Sequence, residues 1–481
     1  MSAINKQEFY LYYKNAFIDG LKFIEENPII DRRDFFEEKF HKNVVAIEKH
    51  YLSDVLTISK FGKKPINYSF WFKKGIGMDY VKFESWEKLR EFVLSNEDFV
   101  THFSLGKEIE HLEESSRKYR ESQFIEEKVS ALIDHYIHKF NSKKFNEIRF
   151  KSIFDKWFNS IKQKKLNFDI WIPLLFTSID ANNFKLSDSV AIKKIDNNLQ
   201  ISRHLYALDG LQHTGAKSFL ISGCSHAIVI KNWYFEGTLK EYSIFPIFAR
   251  ILNHDSFIKD INNVIGSIRI VTGFDLGYYQ VFAQPLNWTR GYVARYEKLI
   301  TTYGNFYPPK YEDYGWNKPT IKINKTDLRK SKDVFKYLSE SKNEKIYFAI
   351  QKLNSIITRE KNEDIIFDTT VALESLLAND SNQEITYRLS TRGAYLCKLF
   401  KFENYTPIVI KQALTKLYGF RSAVAHGKTK KEIKKLETVK IDKFDIDLLD
   451  FGLKFLRHTI KVMLKNSNFF EYIELEKAVL K

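Results

Sequence analysis

A chain of 481 residues with a net charge of +16 and a pI near 9.3 is long enough for two or three domains, and its charge favours an anionic partner. At 44% hydrophobic and 28% charged residues it is not a disordered chain. Two cysteines, Cys224 and Cys397, cannot build a disulfide framework, and no apolar run approaches the roughly 18 residues of a spanning helix, so a soluble cytoplasmic protein without a membrane segment is expected. The opening MSAINKQEFYLYYKN has no apolar signal core. The abundance of Lys, Ile, Asn, Phe and Tyr offers a blander source for the basic balance, namely drift in composition.

Residues 1–165 are dense in charge and aromatics. Phe83–Val93 and Phe124–Phe140 each carry one apolar stripe and predict helices, giving a mostly helical first region. Between 166 and 305 the texture changes. FDIWIPLLF (168–176), SVAIKKI (189–195), AIVIKNWYF (227–235) and SIRIVTGF (267–274) are short and rich in β-branched and aromatic residues, and they predict strands separated by turns. NFYPPKYEDYGWNKP (305–319) is punctuated by Pro and Gly and predicts a connector, with a boundary between 305 and 330.

From 331 to 481 the pattern is helical. Ile366, Thr370, Leu373 and Leu377 share one face of a helix that Asn379 and Asp380 end. Ser381 and Glu384 read as a capping box before a helix that buries Ile385, Leu389, Leu396 and Leu399. Thr406 caps the next helix, with Pro407 at its first position and Gly427 at its left-handed exit, giving a rod of about 30 Å over 407–426. A last amphipathic helix over 444–464 places Phe444, Leu448, Phe451, Phe455 and Met463 inward. The expected architecture is α+β: a mixed amino-terminal region with a β-rich middle, then an all-α, antiparallel bundle.

The 407–426 helix carries the chemistry. Ile410, Leu414, Leu417 and Val424 form its apolar stripe, and Arg421 falls on that stripe. A guanidinium keeps its proton and there requires an anion or several acceptors. Tyr418, Ser422 and His426 follow a neighbouring line at four-residue spacing. Gly419 predicts a close helix approach, which marks the patch as a packing or dimer face. His426 lies in the last turn, where the negative helix end favours an imidazolium. An arginine with a histidine able to take and return a proton is sufficient for RNA cleavage, because the 2′-hydroxyl is a built-in nucleophile. DNA lacks that hydroxyl, so RNA alone is the expected substrate. The alternative from spacing is that Arg421 pairs with a core carboxylate such as Glu374 or Glu384 and His426 merely ends its helix.

Three segments resemble the HEPN superfamily (higher eukaryote and prokaryote nucleotide-binding), most closely its ApeA-like branch. TTVALESLLAND (369–380) is similar to that family's A-L-E-x-L-L helix, EITYRLSTRGAYL (384–396) to its E-[IL]-T-Y-[RK]-L helix, and YGFRSAVAHG (418–427) to its R-[SN]-x-x-x-H-G signature. The resemblance covers roughly 335 to 465. It implies a metal-independent endoribonuclease with Arg421 and His426 catalytic, Ser422 beside the arginine, and no cofactor; Tyr418, on the same four-residue line, is read as a supporting residue. It also implies a homodimer in which two arginine–histidine sets face one cleft, in the setting of anti-phage defence by abortive infection. The residues before about 300 are placed by position alone as a sensing or restraining region for a phage-derived trigger. A non-catalytic HEPN-type RNA-binding or dimerisation scaffold is the rival reading.

Other signals are weaker. GLQHTGAKS (210–218) departs from a Walker loop because Ala216 stands between the second glycine and the lysine. His204, His213, Cys224 and His226 lack the ligand spacing of zinc hairpins, so no metal is expected. Lys428, Lys430, Lys431, Lys434 and Lys435 begin where RNA would leave the cleft and could contact phosphate, though a solvated lysine face is equally ordinary. Arg388 and Arg392, one turn apart, could guide a phosphate backbone, with pairing to Glu384 or nearby acids as the alternative.

Overall fold

The computed structural model describes residues 6–27, 46–49, 56–59, 81–96, 113–161, 165–196, 223–236, 250–286, 300–312, 321–378 and 384–480, together with short pieces between them. The fold is α+β, with an antiparallel sheet in the middle of the chain and helices at the carboxy terminus.

Helices α1 (Lys6–Glu26), α2 (Glu84–Leu94), α3 (Glu114–Phe140) and α4 (Glu147–Ile161) open the chain, and strands β1 (Ala46–Lys49) and β2 (Leu56–Ser59) form a separate antiparallel pair. Their aromatics are mostly core: Phe9, Tyr13, Phe17, Phe72, Trp86, Phe99, Tyr136, Phe150, Phe154 and Phe158 pack into one buried cluster. Such rings bury large areas, which explains the aromatic density of this region without recourse to ligands.

The middle sheet is built from β3 (Lys165–Leu175), β5 (Asn183–Lys185), β6 (Val190–Lys194), β7 (Cys224–Glu236), β8 (Tyr278–Pro285) and β9 (Ile300–Phe306), while β4 (Thr177–Ile179) lies outside it. The order is β9-β8-β3-β7-β6-β5, antiparallel throughout. The register sets Trp171 opposite Val229 and Ile172 opposite Ile228. Alternation then sends Phe168, Ile170, Ile172 and Ile228 to one face and Trp171, Val229, Tyr279 and Phe282 to the other. Both faces are covered, so β3 reads as a nearly unbroken apolar run.

One strand expectation fails. SIRIVTGF does not form a strand; residues 267–272 end helix α5 (Asp255–Thr272), which stops at left-handed Gly273. The reason is burial on two sides. Phe257, Ile261, Val264, Ile265 and Ile268 pack on the sheet, whereas Ile270 joins the core of the carboxy-terminal bundle. A helix buried on two sides loses the polar face that would identify it, and Ile and Val then suggest a strand.

The expected connector is also partly structured. Residues 305–306 complete β9, Pro309–Tyr311 make one helical turn, and β10 (Ile321–Ile323) pairs in parallel with β4. Helix α6 (Lys325–Glu340) starts at once, with Asn324 accepting from the Asp327 amide. α6 supplies Leu328 and Phe335 to the sheet core and Val334 and Leu338 to the bundle core.

The bundle comprises α7 (Glu344–Ser355), α8 (Asn362–Leu377), α9 (Ile385–Leu399), α10 (Pro407–Ala425), the short α11 (Lys430–Lys434), α12 (Leu448–Lys465) and α13 (Tyr472–Leu480). It is not all-α: β11 (Thr438–Ile441) and β12 (Phe444–Asp447) form a hairpin between α11 and α12. Phe444 therefore belongs to a strand, and the final long helix begins at Leu448 behind an Asp447 cap. Glu384 does not take the third-residue place that the anticipated Ser381–Glu384 box would give it. Glu384 is itself the N-cap, at φ +58, and its side chain makes no cap bond; Ser381 lies outside the described residues, as do Asn379 and Asp380.

A buried polar joint ties α5 to the bundle. Arg269 donates from one terminal nitrogen to the Asn354 backbone carbonyl at 2.8 Å and to its Oδ1 at 2.9 Å, and Asn354 Nδ2 donates to the Asn262 carbonyl at 2.9 Å. Burial pushes the Arg269 guanidinium down to about 10, against the raising influence of nearby Asp275.

Candidate active site at the end of the Arg421–His426 helix

Helix α10 forms for the reasons its sequence states. Thr406 accepts from the Val409 amide, and Pro407 occupies the first turn, where its missing N–H leaves nothing unpaired. Ile410, Leu414 and Leu417 are fully buried, each stabilising by roughly 1.5–3 kcal/mol, and they fix which face looks inward. The exit is a Schellman closure. The Lys428 amide donates to the Ala423 carbonyl at 3.1 Å, the Gly427 amide to Val424 at 3.0 Å, and Gly427 sits at φ +67. His426 is thereby held as the C-cap residue, its own amide donating to the Ser422 carbonyl at 3.0 Å.

This places the two ends of the motif differently. His426 is exposed, and its imidazole has no hydrogen-bond partner among the described residues. Arg421 is half-buried, with 26% of its side chain exposed. Its guanidinium carbon lies 5.1 Å from the Phe367 ring centre and 5.7 Å from that of Tyr418. Its Nε stands 3.7 Å from Glu374 Oε1, an ion pair too long for a hydrogen bond. Both of these atoms are shielded from water and lack a hydrogen-bond partner. Burial raises the Glu374 carboxyl above its ordinary range and outweighs the lowering influence of Arg421.

The carboxylate pairing anticipated as an alternative for Arg421 is thus present, with Glu374 as the partner, while about a quarter of the arginine side chain stays exposed. No hydrogen bond, ion pair or ring contact joins Arg421 to His426 within the chain. Residues five apart on one helix are about 140° apart around its axis and about 7.5 Å along it, so a single rod does not stack them. Tyr418 and Ser422 on the same helix are half-buried. Gly419 has nothing within 4 Å of where a Cβ would stand, so among the described residues no helix makes the close approach expected there.

The basic residues divide. Lys428 and Lys431 are exposed beyond His426, and Lys430 opens α11. A capping box holds that segment, with the Thr429 amide donating to Glu432 Oε2 at 3.0 Å and the Glu432 amide returning to Thr429 Oγ1 at 3.4 Å. Arg388 is half-buried on α9. Arg392 has partners within the chain: it donates to the Leu377 carbonyl at 2.8 Å and its guanidinium carbon lies 3.5 Å from the Tyr472 ring centre. Phe367 was invisible to the sequence reading. The only signal was an apolar residue off the Ile366–Thr370–Leu373–Leu377 stripe.

Elsewhere, Cys224 and His226 are buried in β7. Burial pushes the Cys224 thiol up to about 11 and the His226 imidazole down to about 4. Among the described residues no group of three or more His, Cys, Asp or Glu side chains is placed to hold a metal ion. His204, His213 and the 210–218 segment lie outside the described residues. No described helix is long and apolar enough to cross a membrane.

Comparisons with protein families, with curated proteins and with solved structures each return no match.

Proposed function

We propose that the chain is a metal-independent endoribonuclease of the HEPN type, with Arg421 and His426 as its catalytic residues. The observation that carries this reading is the end of α10: its last residues supply a part-exposed arginine and an exposed imidazole with no hydrogen-bond partner among the described residues, and exposed lysines follow. His426 takes the 2′-hydroxyl proton and returns one to the departing 5′-oxygen. Arg421 stabilises charge on the phosphoryl oxygens, and a cyclic phosphate end remains. Tyr418 and Ser422 support the two groups from the same helix, and Lys428, Lys430 and Lys431 hold the outgoing strand. Because Arg421 and His426 diverge on one helix, the reading pairs two copies of the chain, with open Gly419 on the contacting side, so that both sets serve one cleft. The regions before the bundle restrain it until a trigger of phage origin is sensed, and the Arg269–Asn354 joint is one of the contacts that link the two. The cellular role is RNA cleavage in the cytoplasm that halts an infected cell.

A second reading, a non-catalytic RNA-binding or dimerisation scaffold, draws on the Glu374–Arg421 pair, which commits part of the guanidinium to the protein. Incubating the purified protein with RNA in a chelator separates the two. The enzyme leaves cyclic phosphate ends and the Arg421→Ala and His426→Ala variants do not; the scaffold binds in a salt-sensitive way and cuts nothing.

A further inference from the structure

The outer face of α8 carries an apolar ring where a polar side chain would be the ordinary choice. Ile366, Asp368, Thr369 and Thr370 around it are buried, yet Phe367 keeps 36% of its surface in solvent. A single exposed ring requires no explanation by itself. This one is tied to the site: Arg421 sits 5.1 Å over it, and Tyr418 lies 5.7 Å from the same guanidinium carbon. The next residue, Asp368, turns inward and is engaged by Lys352 at 2.7 Å and Arg359 at 2.8 Å; the acids that remain near the ring are exposed Asp364, one turn earlier, and Glu374, which already pairs with Arg421 at 3.7 Å.

We propose that Phe367 is the floor of a base-binding subsite adjoining Arg421. The nucleotide whose phosphate meets the guanidinium lays its base on the exposed part of the ring. The ligand class is therefore single-stranded RNA with an unpaired base at that position, since a base locked in a duplex has no free face to offer. A phenyl ring has neither donor nor acceptor, so it selects for a flat base without choosing among the four. The inference rests on the RNA reading of Arg421 and specifies how the substrate lies.

The test is binding rather than turnover. Short single-stranded RNA carrying 2′-O-methyl groups throughout cannot be cleaved, and its affinity is read by fluorescence anisotropy. Phe367→Leu keeps apolar bulk and loses the ring; Phe367→Trp keeps a ring. The leucine variant is expected to bind on the order of 10-fold to 100-fold more weakly and the tryptophan variant to bind like the parent. An oligonucleotide with one base removed, scanned through each position, should lose a similar factor against the parent at one position and nothing further against Phe367→Leu. Equal additional loss in both proteins, or a leucine variant that binds as the parent does, overturns the subsite. So does a leucine variant that changes only the sedimentation of the protein, because the ring would then be covered by a second chain. If the parent binds no RNA at all, the RNA reading itself fails and the subsite with it.

Discussion

Replacing Glu374 by glutamine interrogates the contact that holds Arg421. In the folded chain burial raises this carboxyl above its ordinary 4.5, with Arg421 pulling the other way. A carboxyl raised on folding binds its proton more tightly in the folded state. Its contribution to stability is therefore complete below about 4.5 and is lost as the pH climbs through the folded value. Above that value the protein carries a shielded carboxylate whose Oε1 has no hydrogen bond. A buried orphan of this kind costs about 1–3 kcal/mol. The ion pair at 3.7 Å, between side chains 26% and 18% exposed, offsets only part of it, about 1 kcal/mol. Glutamine keeps the shape and removes the charge. Glu374→Gln should thus gain about 1 kcal/mol relative to the parent as the pH rises from below about 4.5 through the raised folded-state value. Urea midpoints of the full chain, followed by circular dichroism across that range, measure the difference. A gap that stays constant with pH, or that moves in the parent's favour, would refute the account of how this pair is balanced.

Two further substitutions probe the frame of the site. Gly427→Ala places a Cβ at φ +67 where nothing else crowds it, so backbone strain alone should lower stability by about 1 kcal/mol, with Gly427→Asn closer to the parent by urea denaturation. Asp368→Ala removes the buried partner of Lys352 and Arg359, whose side chains are 28% and 42% exposed and stay solvated; the lost charged hydrogen bonds should lower stability by about 1.5 kcal/mol by urea denaturation, and an unchanged midpoint would contradict the reading of Asp368 as their counter-ion.

The helix that carries the motif was legible because its signals are local. Thr406, Pro407 and Gly427 each act within a turn of their own position, and the structure uses each as anticipated. The strands at 165–175, 190–194 and 224–236 were legible through β-branched density. The failures share a different cause. The 267–272 stretch is helical because two cores enclose α5, and no local pattern reports a second core. Phe444 entered a hairpin because β11 pairs with it, although its spacing to Leu448 suits a helix. At the site, sequence spacing gave Arg421, His426 and the option of Glu374. That Phe367 from α8 would lie against the guanidinium depends on how α8 and α10 meet, which spacing within α10 does not encode.

The central claim is that Arg421 and His426 act together on one ribose–phosphate linkage. Mapping RNA ends in cells that express the full chain addresses it most directly, since a cell supplies the RNA and the conditions in which the protein works. The account predicts new cyclic phosphate ends and arrested growth with the parent, and the loss of both with Arg421→Ala and with His426→Ala. The same ends at the same abundance in either variant would contradict it.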